Sequence, residues 1–226
     1  MKIFLKVVLK IIFGILVFAI IGAGFFYFRF RPATEIGWGV SYSMGTASYL
    51  GLNAEATYLR MLDELKPKKL RLMAYWEDVE MERGKFNFSQ MDWMLSEAEK
   101  RETKVLLVVG HKQPRWPECH HPTWYEQLDP VQRQEALLSM LETTVNHFKT
   151  QATISEWQVE NEPFFDFGPN CETKRYELVA EEVDLVKSID SRPIVLTDSG
   201  EKGNWHDAAS LADIFGATMY RTVYHS

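Results

Sequence analysis

The residues best suited to chemistry in this chain are Glu160, Asn161 and Glu162, which stand directly before Pro163. They follow the segment 154–159, which we predict to be a β-strand. Two carboxylates and an amide at a strand end suit general acid and base catalysis, because a carboxyl group can give up a proton and later take one back. A structural role fits the same residues, since polar side chains at a strand end also satisfy a loop.

The elements that must position these residues alternate along the chain. After Pro32, short apolar runs alternate with amphipathic stretches of helical period, a pattern typical of βα units and a parallel sheet. The predicted strands are 36–42, 70–76, 105–110, 154–159, 194–197 and 215–220, and the predicted helices are 53–65, 89–101, 129–148, 173–189 and 206–212. Asn53 and Asp129 are good N-cap residues, and Pro130 suits a first helical position.

The spacing of these units is compatible with the α/β fold class of the (β/α)8 TIM barrel. The units recur about every 36 residues, which is comfortable for such a barrel, and eight of them would need about 288 residues. Only about six units are present, so we expect the barrel to be incomplete at its C-terminus. An open doubly wound sheet is the alternative, but no glycine-rich nucleotide motif follows the first strand.

The segment 157–163, WQVENEP, resembles the Asn-Glu-Pro signature on the fourth strand of clan A glycoside hydrolases. These are retaining β-glycosidases on eight-stranded βα barrels, and the resemblance is to family 5 or a related family. It extends through YWEDVE at 75–80, GKFNF at 84–88, MD at 91–92 and GHKQPRWP at 110–117. In order along the chain, it covers about residues 36–220.

The resemblance implies that Glu162 is the general acid/base and that Asn161 holds the sugar 2-hydroxyl. Retaining hydrolysis also needs a second carboxyl, about 5 to 5.5 Å away, as the nucleophile. The resemblance places that glutamate at the end of a seventh strand, where this chain has no match. Asp198, Glu201 and Glu77 also follow predicted strands, but none has the position of the nucleophile. We therefore expect a longer natural protein.

Three further side chains are candidates for substrate binding by the same resemblance. Arg71 looks like the arginine that lies beneath the catalytic carboxylates in family 5, although it could instead pair with another acid. His111 resembles a site histidine at the end of the third strand, although it could only support a loop. Tyr220 lies where a sixth-strand tyrosine contacts the nucleophile, but Thr218 replaces the histidine that precedes that tyrosine in family 5.

Tryptophans near the predicted strand ends are candidate sugar platforms, because flat rings stack on the apolar faces of sugars. Trp76 and Trp116 are the two that we assign to substrate binding. Trp124 and Trp205 have similar positions. Each of these rings fits the core equally well.

The only two cysteines, Cys119 and Cys171, fall in the loops after strands three and four. These strands are neighbours in a barrel, so a disulfide that braces the rim of the site is one possibility, and two free thiols are the other. His120 and His121 adjoin Cys119, but this spacing matches no common structural zinc site. We predict neither a metal nor a cofactor.

The composition of residues 32–226 indicates one globular domain and argues against a nucleic acid as its partner. This part has 20 basic and 31 acidic residues, a formal charge of −11. Nucleic-acid binding needs a concentrated positive surface, and no Lys/Arg-rich run occurs. We therefore exclude nucleic acid, and the resemblance to glycoside hydrolases implies an oligo- or polysaccharide as the substrate.

Residues 1–31 are expected to form a membrane anchor. Residues 11–28 carry no charge, and as a helix they would span roughly 27 Å, enough to cross the bilayer core. The lysines before this span favour a cytoplasmic N-terminus and a domain that is periplasmic or at the cell surface. A cleaved signal peptide and a buried core helix are the alternatives.

Three functional hypotheses follow from the sequence. The chain is part of a membrane-anchored retaining glycosidase, or a short form that binds glycans without hydrolysing them, or an unrelated βα protein. Turnover of aryl β-glycosides distinguishes the first from the second. Thermal stabilisation by sugars distinguishes both from the third.

Overall fold

The computed structural model of this protein describes residues 2–29, 37–169, 171 and 174–219. The chain divides into two compact units, residues 1–37 and 38–226. The first unit contains one helix, α1 (Lys2–Arg29), whose segment Lys6–Arg29 is long and apolar enough to cross a membrane. The support for a membrane span here is length and composition alone. A signal sequence near the N-terminus has the same two properties.

The second unit is built from parallel strands that alternate with helices. Its described strands are β1 (Gly39–Ser41), β2 (Lys69–Met73), β3 (Lys104–Val109), β4 (Ile154–Val159), β5 (Ile194–Asp198) and β6 (Ile214–Ala217). Its helices are α2 (Met44–Tyr49), α3 (Ala54–Leu65), α4 (Trp76–Val79), α5 (Ser89–Glu99), α6 (Pro130–Phe148), α7 (Tyr176–Ile189) and α8 (Trp205–Leu211), with a 3₁₀-helix at Thr123–Gln127.

The strand order confirms the predicted barrel type. Within the described part of the chain, the six strands form one sheet in the order β1-β2-β3-β4-β5-β6, and each strand is parallel to the next. A doubly wound sheet would reverse its strand order at a switch point, and this sheet does not. The structure is therefore a half-barrel of TIM type.

The two faces of the sheet carry different residues. Leu70 and Leu72 on β2 and Leu107 and Val109 on β3 are fully buried in the main core cluster, which also includes the apolar faces of α5, α6 and α7. The intervening side chains point to the opposite face, because successive side chains of a strand alternate. Arg71 lies on that opposite face, which is the interior of a barrel.

Local signals explain the helix boundaries. Asn53 caps α3 by accepting a hydrogen bond from the amide of Ala56 at 2.9 Å, and Lys66 ends the helix in a left-handed conformation. Asp129 and Gln132 form a reciprocal capping box at the start of α6. These ends agree with the sequence prediction.

Some predicted boundaries differ from the structure. The prediction missed α2 and α4, because they have six and four residues and are too short for a helical period to be recognised. The predicted second strand extends to residue 76, but Trp76 begins α4. Ile36, Thr173 and Tyr220, which begin or end three predicted elements, lie outside the described residues.

Candidate functional site

The end of β4 has a constrained backbone. Glu160 and Glu162 have φ angles of 61° and 48°, in the left-handed region that non-glycine residues rarely adopt. Neighbouring strands and loops hold this conformation through three amides. The amide of Glu160 donates to the Val109 carbonyl at 2.9 Å, that of Asn161 to the Lys112 carbonyl at 2.6 Å, and that of Glu162 to the Thr197 hydroxyl at 3.1 Å. Such strain persists only where the surrounding structure imposes it.

The side chain of Asn161 is oriented by partners from three directions. Its Oδ1 accepts hydrogen bonds from Arg71 Nη2 at 2.8 Å and from Thr197 Oγ1 at 3.1 Å. Its Nδ2 donates to Glu118 Oε2 at 3.3 Å. Because an arginine can only donate, the amide oxygen must face Arg71 and the amide N–H groups must face the other side.

Arg71 keeps its positive charge inside the half-barrel. Burial lowers its pKa to about 10, and the nearby charge of Arg115 contributes to this. The guanidinium is therefore still protonated at neutral pH. Its charge also acts on Glu162, whose pKa it helps to lower. The structure thus brings Arg71, Asn161 and Glu162 together at the C-terminal ends of the strands, where barrel enzymes have their active sites.

Glu162 is 8% exposed and has the electrostatics of a proton donor. Burial raises its pKa above the ordinary value, and the negative charge of Asp198 adds to this effect. A hydrogen bond with the Thr218 side chain and the charge of Lys112 act in the opposite direction. A carboxyl with a raised pKa retains its proton at higher pH, which a general acid requires.

Glu160, the other carboxylate of this segment, has a structural role. It is fully buried and accepts hydrogen bonds from the amides of His111 at 2.7 Å and Lys112 at 2.5 Å. Lys174 pairs with it at 3.0 Å. Gly110 must be glycine beside it, because its φ is 124° and a Cβ there would lie 2.5 Å from the Glu160 carboxylate. Glu162 is therefore the carboxylate of this pair that is suited to catalysis.

Four residues near the site were not assigned to substrate binding or catalysis from the sequence. Lys112 and Glu118 come from the loop after β3, and Thr197 and Asp198 come from the end of β5. A rule that selects every polar residue at or after the C-terminal end of a parallel strand would have found them. Asp198 is fully buried, and its Oδ2 has no hydrogen-bond partner among the described residues.

The ring of His111 has a different set of neighbours. Its Nε2 lies 2.8 Å from His121 Nδ1, and its ring packs near Tyr125. It lines a cavity of 910 Å³ beside α6, whose lining also includes Lys174 and Leu178. Burial lowers the pKa of His111 well below its ordinary value, so the ring is neutral. The structure therefore does not bring the His111 ring together with Asn161 and Glu162.

The two tryptophans assigned to sugar binding have opposite environments. Trp76 is fully buried, and its indole N–H donates to Glu80 at 2.7 Å. A ring without an open face cannot stack on a sugar, which corrects the prediction for Trp76. Trp116 is 69% exposed, and its ring centroid lies 6.3 Å from that of Phe167. Tyr220 lies outside the described residues.

Cys119 and Cys171 form a disulfide, with their Cα atoms 5.5 Å apart. The bond links the loop after β3 to the loop after β4. Both loops begin at the strand ends that carry the site. Within the described ranges, no group of three or more His, Cys, Asp or Glu side chains is placed to hold a metal ion.

Comparison with known proteins gives a family match and a fold match. The model of glycosyl hydrolase family 10 matches residues 71–182, just under half of the chain. This segment contains Arg71, His111 and the whole 157–163 segment. Among curated proteins, none matches the sequence of this chain.

Solved structures with the same fold are glycoside hydrolases of several kinds. GH5_18 from Streptomyces cattleya, in complex with GlcNAc, has 15% identity and a TM-score of 0.57, over 74% of this chain and 45% of that chain. Xylanase 10B from Thermotoga maritima has 19% identity and a TM-score of 0.54, over 77% and 53%. The β-galactosidase from Marinomonas ef1 has 12% identity and a TM-score of 0.59, over 82% and 41%.

The aligned part of this chain thus corresponds to only 41% to 53% of the length of these three relatives. At these identities the likeness shows the fold alone, whereas the family 10 match adds similarity of sequence around the site. Together they confirm that this chain resembles the clan A glycoside hydrolases and has a half-barrel of their TIM-barrel type.

Proposed function

We propose that this protein is a retaining glycoside hydrolase in which Glu162 is the general acid/base. The observation that carries the proposal is the position of Glu162 at the end of β4, buried and with a raised pKa, beside an amide that Arg71 and Thr197 orient. Retaining enzymes of this type need one carboxyl that is protonated when the substrate binds.

In the proposed reaction, protonated Glu162 gives its proton to the leaving glycosidic oxygen while a second carboxylate attacks the anomeric carbon. The bond from the anomeric carbon to the leaving oxygen breaks, and a glycosyl-enzyme forms. Glu162, now ionised, then removes a proton from the water that releases the sugar. The second carboxylate is expected on a seventh strand, outside the described residues.

We propose that the substrate is an oligo- or polysaccharide with an O-glycosidic bond. Trp116 and Phe167 support this assignment, because both rings are substantially exposed near the loops that carry the site. Solved relatives include a xylanase in complex with xylobiose and a β-galactosidase, so β-xylosides and β-galactosides belong among the first substrates to test.

We further propose that α1 anchors the protein in a bilayer with its N-terminus in the cytoplasm and the βα unit outside. The support is an apolar helix with three lysines before its apolar core. A glycosidase in this position would act on glycans of the cell surface or periplasm.

Replacement of Glu162 by Gln tests the catalytic assignment. We expect kcat/KM of the full-length protein for 4-nitrophenyl β-glycosides to fall by about 10² to 10⁴ fold, the usual contribution of a general acid or base. The loss should be larger for a methylumbelliferyl than for a dinitrophenyl glycoside, because a good leaving group needs less protonation.

Glu99→Gln is the matched control, since Glu99 is exposed at the end of α5. It should leave the rates unchanged. A loss below about tenfold in Glu162→Gln would remove Glu162 from the acid/base role. A full-length protein that binds sugars without hydrolysing any glycoside would instead be a glycan-binding protein.

A further inference from the structure

The loop after β3 forms a tight hairpin that reaches the site. The amide of Gln113 donates to the Glu118 carbonyl at 2.7 Å, and the amide of His120 donates to the His111 carbonyl at 2.9 Å. Across the tip, the amide of Glu118 donates to the Arg115 carbonyl at 2.8 Å. Both the amide and the carbonyl of Glu118 are therefore hydrogen-bonded within this hairpin.

Two further constraints act on Glu118. Its φ angle is 77°, and that of Arg115 is 93°, both in the left-handed region. The next residue, Cys119, is linked to Cys171 by the disulfide. A glutamate in a disfavoured backbone conformation, next to a cross-link, is held in one place, so its carboxylate has a defined direction.

That direction is toward the Asn161 amide. Glu118 is partly buried, and its Oε2 accepts a hydrogen bond of 3.3 Å from Asn161 Nδ2. Burial raises the pKa of Glu118, and the hydrogen bond from Asn161 opposes the rise. Because Arg71 and Thr197 occupy the amide oxygen, the N–H groups of Asn161 are what the amide offers toward Glu118.

An amide donor on Asn161 that faces a carboxylate acceptor on Glu118 is suited to bind a hydroxyl group. A sugar hydroxyl accepts one hydrogen bond and donates another, so it can accept from an amide N–H and donate to a carboxylate at once. The hydrogen bond of 3.3 Å between Asn161 and Glu118 is longer than the usual 2.9 to 3.0 Å, so exchanging it for two bonds to a hydroxyl loses little.

On the basis of the proposed function, we propose that Glu118 is a specificity-determining residue that accepts a hydrogen bond from the substrate hydroxyl contacted by the Asn161 amide. The carboxylate can only accept, so the group at this position of the sugar must be able to donate. A sugar without that hydroxyl forms neither of these two hydrogen bonds, so it should bind more weakly than the parent sugar.

The test compares a sugar with its deoxy forms in wild type and Glu118→Gln. Calorimetry and hydrolysis rates are measured for the full-length protein with methyl and 4-nitrophenyl β-glucoside, xyloside, galactoside and mannoside. For the sugar that binds best, the 2-deoxy and 3-deoxy forms follow. Glu126→Gln is the control, because Glu126 is an exposed carboxylate in the same connection between β3 and α6.

We expect wild type to bind one deoxy form at least tenfold more weakly than the parent sugar. Glu118→Gln should weaken binding of the parent sugar about tenfold or more. Its affinity for that deoxy form should stay within about threefold of the wild-type affinity. Glu126→Gln should reproduce wild type. Equal losses for the parent and deoxy sugars in Glu118→Gln would overturn the proposal, because a merely structural glutamate affects both alike.

The result also separates this inference from the proposed function. Hydrolysis that depends on Glu162, with no difference between parent and deoxy sugars in Glu118→Gln, refutes the role of Glu118 alone. Binding that depends on Glu118 and one hydroxyl, without hydrolysis, refutes the enzymatic proposal alone. Absence of sugar binding to wild type refutes both.

Discussion

At the scale of single residues, Glu160 and Glu162 show how two identical side chains acquire different roles two positions apart. Glu160 receives two backbone amides and the Lys174 ammonium, so its charge is compensated and it is fully buried. Burial raises the pKa of Glu162 above the ordinary value, and the negative charge of Asp198 adds to this effect. The difference comes from the partners that β3 and β5 supply.

Asp198 provides a test of this electrostatic argument. Its negative charge raises the pKa of Glu162, so Asp198→Asn should lower that pKa. Glu162 acts as an acid only when protonated, and kcat/KM therefore falls as pH rises through its pKa. We expect the descending limb of the pH profile to move to lower pH in Asp198→Asn, as measured by glycoside hydrolysis across pH 4 to 9.

Asp184→Asn is the control for this profile, because Asp184 is an exposed residue on α7. It should leave both limbs in place. A descending limb that stays in place or moves to higher pH in Asp198→Asn would show that Asp198 does not raise the pKa of Glu162.

At the scale of elements, a buried cluster joins β4 to α7. Lys174, just before α7, pairs with Glu160 at 3.0 Å and with Glu182 of α7 at 2.7 Å. One ammonium thus serves two fully buried carboxylates, and Glu182 Oε2 has no hydrogen-bond partner among the described residues. Since Glu160 also has two amide donors, Glu182 is the carboxyl that retains a proton. Burial raises its pKa to about 8.

This cluster predicts a dependence of stability on pH. A carboxyl whose folded-state pKa is raised contributes stability that is complete below its unfolded pKa and is lost as pH rises through the folded value. We expect the melting temperature of wild type to fall between about pH 5 and 8, the range between the ordinary glutamate pKa and the raised value in the folded protein. Glu182→Gln should remove most of this fall, because glutamine keeps the neutral form at every pH.

Scanning fluorimetry at several pH values measures this effect, and one proton accounts for at most about 1.4 kcal/mol per pH unit. Glu177→Gln, an exposed change on the same helix, should keep the wild-type slope. If Glu182→Gln and wild type show the same slope, Glu182 is ionised in the folded protein and the proton lies elsewhere in the cluster.

At the scale of the whole molecule, charge and hydropathy separate the two units. Residues 1–31 carry five basic and no acidic side chains, whereas the remainder has a formal charge of −11. The α1 segment Lys6–Arg29 is long and apolar enough to cross a membrane. An apolar helix that follows a basic segment is the pattern on which the proposed anchor rests, with the N-terminus in the cytoplasm and the acidic domain outside.

Extraction from membranes tests the proposed anchor. We expect the full-length protein to stay in the pellet after washing with alkaline carbonate and to dissolve in detergent, because a spanning helix is held by its apolar surface. A variant without residues 2–37 should appear in the soluble fraction. Protease added outside the cell should digest the βα unit and leave a cytoplasmic N-terminal tag intact. Release of the full-length protein by carbonate would refute the anchor.

Much of the fold could be predicted, because its signals are local. Apolar runs, capping residues such as Asn53 and Asp129, and the repeat of about 36 residues per unit predict the βα order. The barrel type followed from the resemblance of residues 157–163 to clan A glycoside hydrolases. Short elements such as α2 escaped prediction, because their sequences span too few turns to show a period.

The candidate site could be predicted only in part. Glu162 and Asn161 stand out because a polar triplet follows a strand directly. Glu118 is 43 residues away from Asn161 in the chain, and nothing in its local sequence indicates the contact. Trp76 follows a predicted strand end just as an exposed platform would, yet the rings of Trp124 and Tyr125 pack against it in the core.

The sequence by itself thus determined the order of strands and helices, the polar segment at the end of β4 and the apolar N-terminal helix, because each depends on neighbours within a few turns of chain. Only the tertiary structure decided that Glu160 is paired, that burial raises the pKa of Glu162, and that His111 lines the cavity beside α6. Those properties depend on which side chains distant loops bring within hydrogen-bond distance and on how much water they exclude.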